Sequence, residues 1–357
     1  MQTAYVAVVI NGAQYNGWEE ITVEASVKEA ARSFSLKIAA EMGGTAAASL
    51  FALFSPVQIF ESGEMVFSGY VDRRAPKLGK EEAYITISGR AKGQDAIDSS
   101  AMHPTGRFDN QTPLQIAQTL DKFGIGFTTD AQLTAVPEYQ LKPGATVFRE
   151  IEKLCRDQGV TLAGQADGSI KLTQAGKTAQ RQAGALVEGV NIEEIEGNFS
   201  GDNIHSEARV RGQSYDGNGP DALQIEGLAS NSTVPRYRPL VLVQDANTDK
   251  TRAKTRATNR RDKEMGDGIR AAAEVVGWRD DDGELWTPGN IVWVSSPFLA
   301  LEQDMLIETL TYHQNEKGKG STTQLHLVDP RAHGGSGSQA GQSGSAWSFP
   351  SSEGTDD

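Results

Sequence analysis

The chain has 357 residues, 38% hydrophobic and 23% charged, a formal net charge of −13 and one cysteine. That length suits about two to four ordinary domains, and no apolar run approaches the roughly 20 residues of a membrane-spanning helix. The charge disfavours a general phosphate-backbone binder, whose affinity needs clustered Lys and Arg, and the lone Cys155 excludes an internal disulfide or a cysteine-rich metal site.

Residues 1–10 lack the basic n-region of a secretory signal and run straight into a strand-like stretch, so no export is expected. From Tyr5 to Arg90 the pattern is strands with little helix. The apolar run ending at Ile10 meets Asn11-Gly12, a hairpin dipeptide, and Trp18, Ile21 and Val23 continue the sheet. Phe34, Leu36 and Ile38 alternate with Ser33, Ser35 and Lys37, the period of a strand with one wet face. Residues 43–53, small and apolar, fit either a loop or a short helix. Strand runs return at 55–60, 65–71 and 84–87, with a polar turn at 77–80.

Residues 91–103 read as a polar connection and a domain boundary. Beyond it, Thr112-Pro113 opens a helix with a capping residue and a first-turn proline; Leu114, Ala117 and Leu120 share a face, and the helix ends near Gly124. A second helix, from about Thr146 to Gln158, stacks Val147, Ile151 and Leu154, and Cys155 within it reads as a buried structural thiol. A hairpin follows around Asp167-Gly168. From Asn191 the sheet resumes with Ile192, Ile195 and Phe199, then 205–213, with loops at 215–220 and 231–239. The longest helical candidate, about 249–272, carries Arg252, Arg256 and Lys263 near one face. Two readings stay open for it: a surface helix with local acidic partners, or a docking surface for acidic neighbours, subunits included. Strand runs at 273–278, 285–294, 305–310 and 325–328 close the folded part. Val66, Phe67, Tyr70, Ile85 and Ile87 recur as Leu306, Ile307, Leu310, Leu325 and Leu327, a constant offset of 240 that suggests a duplicated β unit.

Catalytic constellations do not emerge. His103, His205, His313, His326 and His333 show no metal spacing and read as structural or solvated. Asp280-Asp281-Asp282-Gly283-Glu284 lacks the ligand alternation of a calcium loop and reads as a solvated hairpin turn between Trp278 and Trp286. Glu193, Glu194 and Glu196 read as a wet strand face, there is no Gly-x-Ser-x-Gly, and Gly217-Asn218-Gly219-Pro220 lacks the lysine of a phosphate loop. No catalytic, cofactor or metal residue is therefore assigned.

Thr112-Pro113-Leu114-Gln115-Ile116-Ala117 leading to Phe123-Gly124-Ile125, Val147 through Cys155 with Gly159 and Asp167-Gly168, and Gly277-Trp278 through Trp286-Thr287-Pro288-Gly289-Asn290 to Val328-Asp329-Pro330 stand in an order that resembles the baseplate hub proteins of contractile-tailed bacteriophages, closest to the Mu-like hubs. The resemblance implies a β-rich α+β multidomain fold: two similar tube-like β-barrel domains at residues 1–100 and 183–330, the latter with the basic helix at about 249–272. A small α+β module at 101–182 and a flexible Gly/Ser-rich tail at 331–357 complete the plan. It further implies a virion protein, assembled in the host cytoplasm, that forms a homotrimeric, pseudo-six-fold ring between a hexameric tail tube and a trimeric central spike, with wedge proteins around it. No cofactor, no stable membrane insertion and no specific nucleic-acid binding is expected; DNA passes through a channel whose acidic lining would repel it. The alternatives are a tail-associated cell-wall hydrolase, which would need paired carboxylates or a Cys/His site, and a receptor-binding tail protein using Trp278, Trp286 and Trp293 as stacking platforms. Trp293, inside an apolar strand, is expected in the core.

Overall fold

A computed structural model describes residues 5–15, 17–39, 51–80, 82–214, 219–244, 248–315, 318 and 320–335. Most of the undecided stretch at 43–53 lies outside these residues. Strand β1 (Val6–Ile10) turns into β2 (Ala13–Tyr15) through Asn11 and Gly12, whose φ angles of 53° and 79° are those a two-residue hairpin requires. Then come β3 (Trp18–Ser26), β4 (Ser33–Ala39), β5 (Pro56–Glu61), β6 (Glu64–Leu78) and β7 (Ala83–Ala91). Phe34, Leu36 and Ile38 of β4 are buried and the alternate residues are half-exposed, as the period predicts.

The middle module begins earlier than expected, with a short helix α1 (Gln94–Asp98) inside the presumed polar connection; Ala96 at its centre is fully buried. After β8 (Arg107–Gln111), helix α2 (Pro113–Leu120) starts with a capping box: Thr112 Oγ1 accepts from Gln115 N while Gln115 Oε1 accepts from Thr112 N. Strands β9 (Phe127–Thr129) and β10 (Val136–Gln140) lead to α3 (Val147–Asp157), capped by Thr146, then to β11 (Thr161–Gly164), β12 (Ile170–Thr173) and the short α4 (Ala175–Thr178). Ile116, Leu120, Ile151, Leu154 and Cys155 form this module's own core. Burial pushes the Cys155 thiol up to about 12. Arg32, buried beside β4, clamps the module to the sheet by donating Nη1 to Val66 O at 2.8 Å and Nε to Gly164 O at 3.3 Å.

The second half holds β13 (Arg181–Val187), β14 (Ile192–Phe199), β15 (Glu207–Gly212), α5 (Pro220–Leu223), β16 (Ile225–Ser230), β17 (Pro239–Gln244) and α6 (Lys250–Asp267). Strands β18 (Ile269–Val276), β19 (Ile291–Ser296), β20 (Leu301–Asn315) and β21 (Gly320–Val328) follow. Strands β15–β17 and α6 make a separate layer in which Ala253 and Ala257 pack on Val210, Ile225 and Ala229. A Cβ at Gly227 would lie 2.2 Å from the backbone of Ala253, so only glycine permits this approach. Helix α6 stops at Asp267, short of 272, because Ile269, Ala271, Ala273 and Val275 alternate inward on a strand that pairs with β14 and, from Arg270, with β21.

The duplication is real, and its register differs from the 240-residue spacing. Strand β6 has its bulge between Val71 and Arg73, opposite Gly89 and Ser88; β20 has the same bulge between Ile307 and Thr309, opposite Leu327 and His326. Superposing the bulges moves β6 by 236 residues (Val71 to Ile307) and β7 by 238 (Gly89 to Leu327). A second bulge, between Trp18 and Glu20, recurs between Ile192 and Glu194, moving β3 by 174 (Ile21 to Ile195) onto β14. The orders match throughout, β3-β4-β7-β6-β5-β1 against β14-β18-β21-β20-β19-β13, but β1 runs antiparallel to β5 while β13 runs parallel to β19. The two units do not stand apart. Strand β20 also pairs with β3, fusing them into one 13-stranded sheet with a single apolar core running from Val6 to Leu327.

At the C-terminal end, residues 331–333, assigned to the tail, are packed: with Pro330 they form a 3₁₀ turn (Pro330–His333), and Ala332 is buried against Leu306 and Val328. Residues 336–357 lie outside the described residues. Replacing Arg32 by Ala strands two carbonyl acceptors and should cost about 3 kcal/mol in urea unfolding. Cys155 should resist iodoacetamide at pH 8 in the folded chain and react fully in denaturant; fast labelling of the native protein would show the helix core to be open.

Candidate functional site

Where the two units meet, Leu310, Tyr312 and Gln314 of β20 stand opposite Ala25, Val23 and Ile21 of β3 on the core face; all but Gln314 are almost wholly buried. On the wet face, Thr311 stands opposite Glu24 and His313 opposite Thr22, and His313 Nε2 lies 3.0 Å from Glu20 Oε1. Trp278 stacks on Tyr312 at 4.8 Å between ring centroids and donates Nε1 to His313 O at 3.0 Å. Tyr312 in turn donates its hydroxyl to Trp286 O. The tryptophans therefore reverse the expected roles: Trp278 and Trp286 are core, while Trp293 sits half-exposed on the face opposite Val292 and Val294.

Below this seam, Glu308 gathers three nitrogen-bearing side chains from separate segments. Lys28 Nζ lies at 2.5 Å, Arg270 Nη1 at 2.7 Å and His333 Nε2 at 2.9 Å. Burial alone would raise the pKa of this carboxyl, but hydrogen bonds from His333, Lys28 and Arg270 outweigh it and hold the group well below the carboxylate range. Three further buried carboxylates are tied down. Asp304 takes both Arg181 Nη atoms at 2.8 Å, Asp329 takes Arg331, and Glu61 of the first unit takes Arg279 Nε of the second at 2.6 Å. Each of these carboxylates is engaged by a partner that ties two segments of the chain or one local turn together.

The acidic turn forms as expected between Trp278 and Trp286, yet Asp280 is not solvated. Its carboxylate accepts from Gln182 Nε2, Ala183 N, Asp282 N and Glu284 N, pinning β13 to the turn. No group of three or more metal-ligating side chains occurs among the described residues. His103 accepts from Gly106 N, and His205 Nδ1 lies 3.0 Å from Glu264 Oε2. His333, expected in a tail, is the buried partner of Glu308. Glu194 and Glu196 are exposed on β14 as predicted, and α6 has local partners in Arg260–Glu264 and Lys263–Asp267. Among the strand edges left open in the described residues, two belong to the counterparts of the seam strands: β6 from 72 to 78 on the side where β5 pairs residues 64–70, and β14 on the side away from β18.

Three family models match successive parts of the chain: Mu phage baseplate assembly protein GpP-like, N-terminal, at residues 5–91; baseplate hub protein gp44-like, second domain, at 93–174; and Mu phage baseplate assembly protein GpP, fourth domain, at 249–334. This chain belongs to the Mu-like baseplate hub family. Baseplate hub protein gp44 of Escherichia phage Mu is 28% identical over 343 residues, covering 90% of this chain and 87% of that protein. The crystal structure of the 43 kDa tail protein of prophage MuSo2 from Shewanella oneidensis is 26% identical with a TM-score of 0.81, covering 92% of this chain and 99% of that one. A tail protein from Neisseria meningitidis MC58, 20% identical over 92% of this chain and 99% of its own, shares the fold at a TM-score of 0.75. In this hub fold the matched terminal domains coincide with the two halves of the seam.

Because the pKa of Glu308 lies below its usual 4.5, its stabilisation is present above that pH and is lost as pH falls through the lower folded value. Glu308→Ala should destabilise the chain by about 3 kcal/mol at pH 7, at the low end for a broken buried pair because Lys28 and Arg270 are partly exposed. Glu308→Gln should flatten the fall in urea midpoint between pH 6 and pH 3; an unchanged acid limb would show the cluster to be incidental.

Proposed function

We propose that the chain is the structural baseplate hub of a contractile phage tail, a homotrimeric ring with pseudo-six-fold symmetry. It adapts a hexameric tail tube to a trimeric central spike and leaves a channel for DNA. The observation that carries this reading is the repeat: the same six-strand order, with coincident bulges, occurs twice in one chain and is already joined edge to edge. Three such chains offer six like units, which is what a three-fold object needs to face a six-fold one.

The sheets of the first and second units form the ring in this account, and the middle module, from α1 to α4, packs outside it. The wet face of the fused sheet lines the bore. Along one register it carries Glu274, Gln324, Thr311, Glu24 and Ser33, a polar, mildly acidic row suited to letting a polyanion slide without adhering. Tube, spike and wedge proteins are its partners, and the virion is its place. No step of this role requires a catalytic residue.

Solution mass measurement with low-resolution imaging of the purified chain tests the reading. The expected result is three copies in a ring with a central hole. A chain that stays monomeric at high concentration and with the tube protein added would overturn it, and a bore lined with Lys and Arg would overturn the repulsive lining.

A further inference from the structure

The internal joint is a template for the joint the chain lacks. Carrying β20 back by 236 residues and β3 forward by 174 turns the observed pairs into pairs between the two open edges. Leu310 opposite Ala25 becomes Arg74 opposite Phe199. Tyr312 opposite Val23 becomes Pro76 opposite Gly197, Gln314 opposite Ile21 becomes Leu78 opposite Ile195, and His313 opposite Thr22 becomes Lys77 opposite Glu196. We propose that the edge of β6 at residues 73–78 pairs antiparallel with β14 of a second copy of this chain, in this register, and that a Lys77–Glu196 contact helps select it. The proposal rests on the ring reading above and names the contact that closes the ring.

Three observations favour a second copy as the occupant. The transferred register places two exposed apolar side chains, Leu78 at 75% and Phe199 at 40% exposure, on the core face, where the counterpart of Phe199, Ala25, is covered and that of Leu78, Gln314, is half-buried. The wet faces of the two edges carry opposite charge: Arg73 and Lys77 on β6 against Glu194 and Glu196 on β14, with Glu194 diagonal to Lys77. Both edges are one-sided, each ending at a bulge that has a twin in the joint already formed, so the pairing is head to tail and passes round a closed ring. Pro76 withholds one donor from its edge, which limits the partners that edge accepts. In the single chain Lys77 Nζ sits 3.1 Å from Glu82 Oε1, an exposed contact that a facing Glu196 can join or replace.

The test is carried out on the full chain with Lys77→Cys and Glu196→Cys together, Cys155 being buried and unreactive. Mild oxidation should give covalent trimers on a non-reducing gel, and either single variant should not. Lys77→Glu and Glu196→Lys should each weaken association by about tenfold at low salt, and the pair together should restore it to within about threefold. Recovery by the swap distinguishes the contact between chains from loss of the Lys77–Glu82 pair. Wild-type rings whose cysteine variant stays uncrosslinked and whose charge swap fails to recover would overturn this pairing and leave the ring standing. A wild-type chain that never leaves the monomer would overturn both.

Discussion

The antiparallel ladder between β3 and β20 is the constraint on which the rest of the fold depends. It joins strands from opposite ends of the chain, Ser26 and Glu308 being 282 positions apart, so nothing local brings them together. What holds them is burial: Ile21, Val23, Leu310 and Tyr312 lie at no more than 2% exposure, each contributing on the order of 2 kcal/mol by leaving water. Without this ladder each unit would present a bare edge and half a core. With it, one apolar cluster serves both. Closing so long a loop makes the seam a late event in folding, after the hairpins that supply its strands.

Polar ties then fix how the units sit. Arg279 reaches from the second unit to Glu61 of the first, and Glu308 collects Lys28 from the β3–β4 turn, Arg270 from β18 and His333 from the 3₁₀ turn. Buried ion pairs add little net stability over a well-packed apolar substitute, but an unpaired member is costly, so they penalise any arrangement in which the segments fail to meet. The apolar ladder supplies the adhesion and the carboxylates supply the alignment.

Legibility from sequence followed the range of the forces involved. Both long helices of the middle module were readable because their caps are local: Thr112 with Gln115, and Thr146 with Arg149. The Asn11-Gly12 and Asp167-Gly168 turns were readable for the same reason. The repeat was visible, but its 240-residue offset was wrong by four residues on β6 and two on β7, because a slip by an even number leaves every side chain on its proper face. Only bulges pin such a register, and a bulge has no composition. The exchange of roles among the tryptophans and the anchoring of Asp280 and His333 depend on partners about 20 to 100 positions away, which no pattern along the chain encodes. The acidic β14 residues were seen as a wet face, and nothing in the sequence placed them opposite the basic stretch of β6.

The two copies diverge in the places where a ring of identical units would have no use for divergence. Between β3 and β4 the chain makes a turn at residues 27–32; between their counterparts β14 and β18 it inserts residues 200–268, which build the β15–β17 layer and α6. Strand β13 lies where β1 lies but runs the other way. The shared strands and bulges keep the inner sheet alike in both halves, while the inserted layer appears once per chain. A ring of three such chains would repeat its sheet six times and its inserted layer three times, so the two symmetries need not be reconciled by flexible linkers. In such a ring the shared frame would supply the six-fold character, and the unshared insertion, in which α6 packs through Ala253 and Ala257, the three-fold one.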